Sequence, residues 1–222
     1  MSLHFGILVF PQVQQLDLTG PYEVFASAKG ARVDLLWKTV EPVRASTGLS
    51  LTPTLTLDDC PQLDVLCVPG GTGINALLED ADVLAFIRKQ APGLRFLTSV
   101  CTGALVLGAA GLLNGKKATT HWNAHDLLAQ FGAVPTQGRV VRDGSLITAG
   151  GITAGIDFGL TVVAELLGAT EAQTIQLAFE YAPQPPFAAG TPEQAGAEIL
   201  AAARQRLAPS RQAREAILKR LG

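Results

Sequence analysis

The 222-residue sequence predicts an α/β protein, a single domain with a mostly parallel sheet sandwiched by helices and a small hairpin at one sheet edge. Three observations predict it. Over the first two thirds of the chain, apolar runs alternate with amphipathic helical stretches, as parallel strands joined by crossover helices require. Apolar residues make up 48% and charged residues 16%, a composition suited to strands buried on both faces. Glycine-bearing turns follow three of the apolar runs, at Gly70-Gly71, at Cys101 to Gly103 and at Gly150-Gly151. The carboxyl ends of parallel strands are where an open sheet binds its ligands, so these turns are expected to meet at one pocket.

The elements follow in order. His4–Phe10 reads as the first strand, Pro11–Leu18 as a loop, and Pro21–Ser27 as a helix opened by Thr19-Gly20 with proline near its first turn. Arg32–Lys38 is a second strand, and the alternating leucines 49, 51, 55 and 57 within Pro42–Pro61 suggest the edge hairpin. Leu63–Val68 is a central strand running into Pro69-Gly70-Gly71-Thr72-Gly73, with a helix over Asn75–Gln90 behind it. Phe96–Val100 is another strand, which breaks at Cys101-Thr102-Gly103 before a small-residue helix over Ala104–Leu113. A short strand at Ala118–Thr120, a helix over His121–Gln130, and strands at Arg139–Arg142 and Leu146–Ala149 about the Asp143-Gly144 turn come next. Ile156, Leu160, Val163 and Leu167 recur at helical spacing within Thr153–Leu167. The proline-rich Tyr181–Pro192 excludes regular structure, and residues 193–222 read as a C-terminal surface helix of the single domain 1–222.

Several classes of function are disfavoured. A net charge of −2 offers no basic face to nucleic acid and no acidic tract suggesting disorder. The uncharged stretch Phe96–Leu113 is long enough to cross a bilayer, but its strand, turn and helix pattern makes it core instead. The start MSLHFGILVF has no basic region and no small-residue cleavage site, so a cytoplasmic protein without secretory signal or anchor is expected. Cys60, Cys67 and Cys101 are odd in number and lack metal-type spacing, and no metal site is expected with His4, His121 and His125.

Cys101 is the candidate nucleophile. A residue between strand and helix sits on strained backbone at a helix start, where amides and dipole favour an anion, so a lowered thiol pKa is expected. Cys67, inside Val65–Val68, reads as core, and so does Cys60, whose two neighbouring aspartates would raise a thiol pKa. A nucleophile needs a proton partner. His121 could face the pocket but reads better as the start of the following helix. Asp17, flanked by Leu16 and Leu18, is the acid whose pKa apolar surroundings would raise into the range for acid/base work. It could instead cap the helix near Pro21, although Thr19 lies closer and would free it. Gly70-Gly71 offers backbone amides for close approach to a substrate, without the pattern of either nucleotide-phosphate motif.

These residues resemble the ThiJ/PfpI-like superfamily: Val100-Cys101-Thr102-Gly103 and Pro69-Gly70-Gly71 after strands, and the acid in Leu16-Asp17-Leu18-Thr19-Gly20-Pro21. That superfamily is related in fold to the class I glutamine amidotransferases and is flavodoxin-like. The likeness spans nearly the whole chain and is to its isocyanide-hydrating branch, through "FPQVQQLDLTGPYEV", "PGGTG", "TSVCTGALVLGAAGLL", "ATTHW" and "GGITAGIDF". Many hydrolytic members carry histidine after the nucleophile and glutamate as the acid. Here Thr102 and Asp17 stand in those places, which matches the hydratases and counts against peptidase or amidase chemistry. The superfamily's sensing regulators carry an added DNA-binding module, for which residues after Leu167 leave too little length.

The resemblance implies hydration of an isocyanide to an N-substituted formamide without a cofactor. Cys101 would form a thioimidate, Asp17 would act as acid and then base, and Thr102 with the Gly71 amide would position the intermediate. The Gly150-Gly151-Ile152 turn would lie near the sulfur, with Trp122 and Phe187 as candidate pocket walls. Relatives are commonly homodimers, so a homodimer acting on a small isocyanide and water is expected, without nucleic acid or membrane. Two other readings stay open: a glyoxalase-type lyase using the same cysteine, and a redox-sensing or stress-response protein in which Cys101 is oxidised.

Overall fold

In the computed structural model, which describes residues 3–221, short runs of β-branched and leucine residues buried on both faces make the central strands. In chain order the strands are β1 (Leu3–Leu8), β2 (Ala31–Trp37), β3 (Val43–Arg44), β4 (Ser50–Leu51), β5 (Leu55–Thr56), β6 (Val65–Val68), β7 (Phe96–Val100), β8 (Lys117–Ala118), β9 (Val134–Pro135), β10 (Val140–Asp143) and β11 (Leu146–Ala149). The α-helices are α1 (Gln15–Ala26), α2 (Ile74–Leu77), α3 (Ala81–Gln90), α4 (Gly103–Ala109), α5 (Ala154–Leu167), α6 (Ala169–Ala178) and α7 (Ala197–Leu221). The main sheet has the order β10-β11-β7-β6-β1-β2-β5, parallel except for β10 at one edge.

Register brings the three glycine-bearing turns together. Val68 pairs with Ser99 and Ala149 with Val100, so β6, β7 and β11 all end at the same level, and Pro69, Cys101 and Gly150 emerge side by side. The core is filled by residues such as Phe5, Phe10, Phe25 and Phe158, all at 0% exposure. Each such side chain contributes about 1.5–3 kcal/mol of burial. Helices α1 and α5 pack closely because glycines face the other helix: a Cβ on Gly155 would lie 3.0 Å from Pro21 Cδ, and one on Gly159 3.0 Å from Val24 Cβ.

The element boundaries depart from expectation where a local signal has two meanings. Gln15–Leu18, expected as loop, forms the first turn of α1, and Pro21 lies inside that helix rather than at its start. Thr19 caps nothing; its hydroxyl donates to Gln15 Oε1 at 2.9 Å. The single helix expected over Asn75–Gln90 breaks because Asp80 caps a new start, its carboxylate accepting from the Val83 amide at 3.2 Å. The edge hairpin is β3 with β4, antiparallel, whereas β5 joins the main sheet parallel to β2. The helix expected over His121–Gln130 is a run of 3₁₀ turns, Trp122–Phe131. The strand expected at Ala118–Thr120 is β8, which pairs with the unforeseen β9 in a small sheet of its own. Helix α6 carries no continuous apolar face for the sequence to announce, since only Ala172 and Ile175 are buried.

Candidate active site

Cys101 follows β7, all five of whose residues are buried, and precedes α4 by one residue. Its φ of 55° is in the left-handed region, a conformation that costs a non-glycine residue on the order of 1–3 kcal/mol and persists where its surroundings over-determine it. The determinants are visible. Its amide donates to the carbonyls of Ala149 (3.0 Å) and Gly150 (2.8 Å), and its carbonyl accepts from Thr120 Oγ1 at 2.6 Å. Gly103 completes the turn, because a Cβ there would run into the Val68 carbonyl oxygen.

Asp17, at 0% exposure, stands in the first turn of α1. Its Oδ2 accepts from the Gly70 amide at 2.9 Å. Its Oδ1 has no partner of conventional geometry, and the Cys101 thiol meets the carboxyl as a weak sulfur donor. Burial pushes the Asp17 pKa up to about 7, against the opposing pull of the Gly70 amide and the thiol. Gly70 makes the approach sterically feasible: a Cβ on it would lie 2.6 Å from Thr102 N, 2.7 Å from Thr102 Oγ1 and 2.8 Å from Asp17 Oδ2.

The thiol departs from expectation. Burial first, and then the Asp17 charge, hold Cys101 well above its ordinary value, while the amides of Thr102 and Ile152 donate to the sulfur and pull the other way. Helix α4 has only seven residues, and these two aimed amides supply the anion stabilisation expected of its dipole. With the acid's pKa raised to about 7 and the thiol beside it, the two groups titrate as a pair. One proton on that pair can reside on sulfur or on oxygen.

The sulfur opens onto a cavity of about 140 Å³. Gly71, Thr72, Thr102 and Ile152 line one part of it, Gln14 and Ser46 another, and His121 and Asn123 a third. Leu207, Ser210 and Arg214 of α7 form the remaining wall. Of the sequence-predicted residues, Cys101, Thr102, Gly71 and Ile152 therefore meet at the cavity, with Asp17 and Gly70 directly behind. Ile152 carries a φ of 28°, a second strained position next to the sulfur. The Gly71 amide is already engaged, donating to Thr102 Oγ1 at 3.2 Å. Gly151 sits against the His121 ring, 3.0 Å from where its Cβ would be, and faces a neighbouring recess instead.

Trp122 and Phe187 are not walls of this cavity; Trp122 lines adjoining recesses, and Phe187, in the proline-rich segment, is 79% exposed. His121 does face the cavity while also capping the 3₁₀ turns, its Nδ1 accepting from the Asn123 amide at 3.3 Å. Burial, with the Arg214 charge, lowers its pKa to about 4, so it is neutral near pH 7. Burial sets Cys60 at about 11 and Cys67 at about 12; for Cys60 the acid that adds to this is Asp34, not the flanking aspartates. Among the described residues, no group of three or more His, Cys, Asp or Glu side chains could hold a metal ion, and no helix is long and apolar enough to cross a membrane. A wider groove of about 500 Å³ outside α7, walled by Arg204, Arg211 and Trp122, contains no nucleophile.

The segment read as a surface helix holds the residues that sequence reasoning missed. Leu207, Ser210 and Arg214 reach the cavity from α7, where Arg214 is 4% exposed. An alternation of alanine with arginine and glutamate gives no sign of which arginine turns inward.

A strained cysteine after a central parallel strand, backed by a buried acid from the first helix, defines a protein of the cysteine-elbow α/β class. The DJ-1/PfpI family model matches residues 5–165, and the chain belongs to that family. A Pseudomonas putida protein named isonitrile hydratase is 59% identical over 220 residues, covering 99% of this chain and 96% of its own length. The crystal structure of a ThiJ/PfpI family protein from Pseudomonas syringae has a TM-score of 0.95 at 44% identity, covering 98% of this chain and 91% of that one. DJ-1beta of Drosophila melanogaster is more distant, with a TM-score of 0.74 at 26% identity over 81% of this chain and 98% of its own.

Proposed function

We propose that the protein hydrates isocyanides to N-substituted formamides through a covalent thioimidate on Cys101. The observation that carries this reading is the pairing of Cys101 with a buried Asp17 whose pKa is about 7, in a chain 59% identical to an isonitrile hydratase. The thiolate attacks the terminal isocyanide carbon and forms the S–C bond, and Asp17 delivers its proton to that carbon. A water molecule then adds its oxygen to the same carbon. As the S–C bond breaks, one water proton returns to Asp17 and the other goes to nitrogen, which leaves the formamide and restores the thiolate. One carboxyl thus serves as acid and then as base, which a pKa near the working pH favours. The amides of Thr102 and Ile152 hold the intermediate, the Gly71 amide holds the Thr102 hydroxyl in place, and Gly70 keeps Asp17 close.

The reaction needs no group beyond these residues and water. We assign the enzyme to the cytoplasm and to a homodimer, whose contact surface would draw on exposed apolar side chains such as Leu177 (81% exposed) and Ile199 (56%); the mass in solution tests this. The test of the activity is purified protein with a simple aryl isocyanide, followed by formamide absorbance. Turnover that disappears in Cys101→Ala supports the reading. Absence of turnover in the parent, or an undiminished rate in Cys101→Ala, overturns it.

A further inference from the structure

Arg214 is a buried arginine in the cavity wall that the hydration chemistry does not use. It is 4% exposed. Its Nε donates to Asn75 Oδ1 at 3.1 Å and its Nη2 to Ser210 Oγ at 3.2 Å. A guanidinium carries five N–H groups, so three remain, including both on Nη1, without an acceptor among the described residues. No carboxylate of those residues lies within ion-pair distance either. Glu215, the acid next to it in sequence, is taken by Arg211 at 2.7 Å, and Arg211 also holds Asp126 at 2.7 Å. The side chains that share the cavity with Arg214 are hydroxyl, amide, apolar and thiol groups, together with a neutral His121.

A cation taken out of water without a counter-ion is costly and is retained where something else supplies the charge. Cys101 supplies at most one negative charge, which it shares with Asp17 and loses on forming a thioimidate. The donors left over, Nη1 and one N–H of Nη2, lie on the end of the guanidinium that binds carboxylates in a two-pronged manner. Asn75 fixes this orientation, since its Nδ2 also donates to the Ser210 carbonyl at 3.3 Å and so clamps α2 to α7.

We propose that Arg214 recognises a carboxylate on the substrate, and that the enzyme acts on isocyanides bearing a carboxylate a short distance from the isocyano group. This rests on the hydratase reading. The smallest such compound, isocyanoacetate, would take up one water to give N-formylglycine, with the carboxylate unchanged and no electron transfer.

The experiment compares isocyanoacetate with its methyl ester, the same molecule without the charge, in the parent, in Arg214→Met and in Arg220→Gln. Arg220 lies on the outer side of α7 paired with Glu79 and controls for loss of one positive charge. The parent is expected to favour the acid over the ester in kcat/KM by about tenfold or more, the worth of a charge-assisted hydrogen bond. Arg214→Met is expected to abolish that preference through KM for the acid, and Arg220→Gln to retain it. Looser docking of α7 alone would lower both substrates alike and leave the ratio. Calorimetric binding of N-formylglycine reads the same recognition without turnover and is expected to weaken about tenfold in Arg214→Met. An ester hydrated as well as the acid by the parent, or an unchanged ratio in Arg214→Met, overturns the proposal. If neither compound is hydrated, the hydratase reading fails by itself, and N-formylglycine binding still decides the role of Arg214.

Discussion

Asp17 Oδ2 accepts the Gly70 amide at 2.9 Å, joining the first turn of α1 to the turn after β6. One hydrogen bond thus holds the carboxyl beside the Cys101 sulfur and leaves its second oxygen unpaired. Asn in place of Asp17 keeps an acceptor for Gly70 and nearly the same volume but has no proton to give. We expect Asp17→Asn to fold and to lose about 10²–10⁴-fold in kcat, the usual worth of a general acid/base. The rate of formamide formation, alongside a thermal melt, checks this.

The same substitution makes a stability prediction. A carboxyl whose pKa rises from 3.8 unfolded to about 7 folded binds its proton more tightly in the native state. Its protonated form therefore favours folding below pH 3.8, and stability falls as pH rises from about 4 to about 7, by up to roughly 4 kcal/mol. Above pH 7 the penalty is constant. Asp17→Asn should be more stable than the parent at pH 8, with the gain shrinking towards pH 4 in denaturant titrations.

Activity should depend on pH through the pair rather than through either group. The working state carries one proton shared between Asp17 and Cys101. A second proton fills it as pH drops through about 7, and its loss requires titration of a thiol held well above 9.0. We expect kcat/KM to rise through about pH 7 and to hold a plateau past pH 9. A decline starting near pH 8 would contradict the shared proton.

What was legible in the sequence was what local chain chemistry decides. The strand, cysteine and glycine run of Val100 to Gly103 contains its own turn, and the ends of β6, β7 and β11 follow from short buried runs. Asp17 is legible as an acid among leucines, but its place in a helix is not, because Pro21 signals a helix start and here lies within one. The thiol pKa is not legible, because a sequence shows the helix start but not the burial that outweighs it. Arg214 was illegible, since only the docking of α7 through Asn75 decides which of its arginines faces the cavity.

Labelling separates the three thiols. Cys60 and Cys67 are held up to about 11 and about 12 by burial, and no backbone amide offsets it at either sulfur; Cys60 Sγ accepts only from the Gln90 side-chain amide, at 3.9 Å. Cys101 has two such amides and a cavity at its sulfur. Iodoacetamide on the native protein at pH 8 should alkylate Cys101 first and Cys67 last, as read by peptide mass spectrometry. Prior reaction of Cys60 would argue that the cavity does not admit small electrophiles.

Gly70 tests the geometry without touching a titrating group. A methyl group placed there would lie 2.6 Å from Thr102 N and 2.8 Å from Asp17 Oδ2, against two elements that cannot give way independently. Overpacking of this kind costs about 1–3 kcal/mol, and the relief available is for α1 to back away, carrying the carboxyl from the sulfur. A displacement of 1 Å at a reacting centre is worth about 10²-fold in rate. Gly70→Ala should therefore lose both stability and at least that factor in kcat. Gly196→Ala, where nothing lies within 4 Å of the added carbon, should lose neither. Equal activity of the two variants would mean that Asp17 does not need to stand where Gly70 holds it.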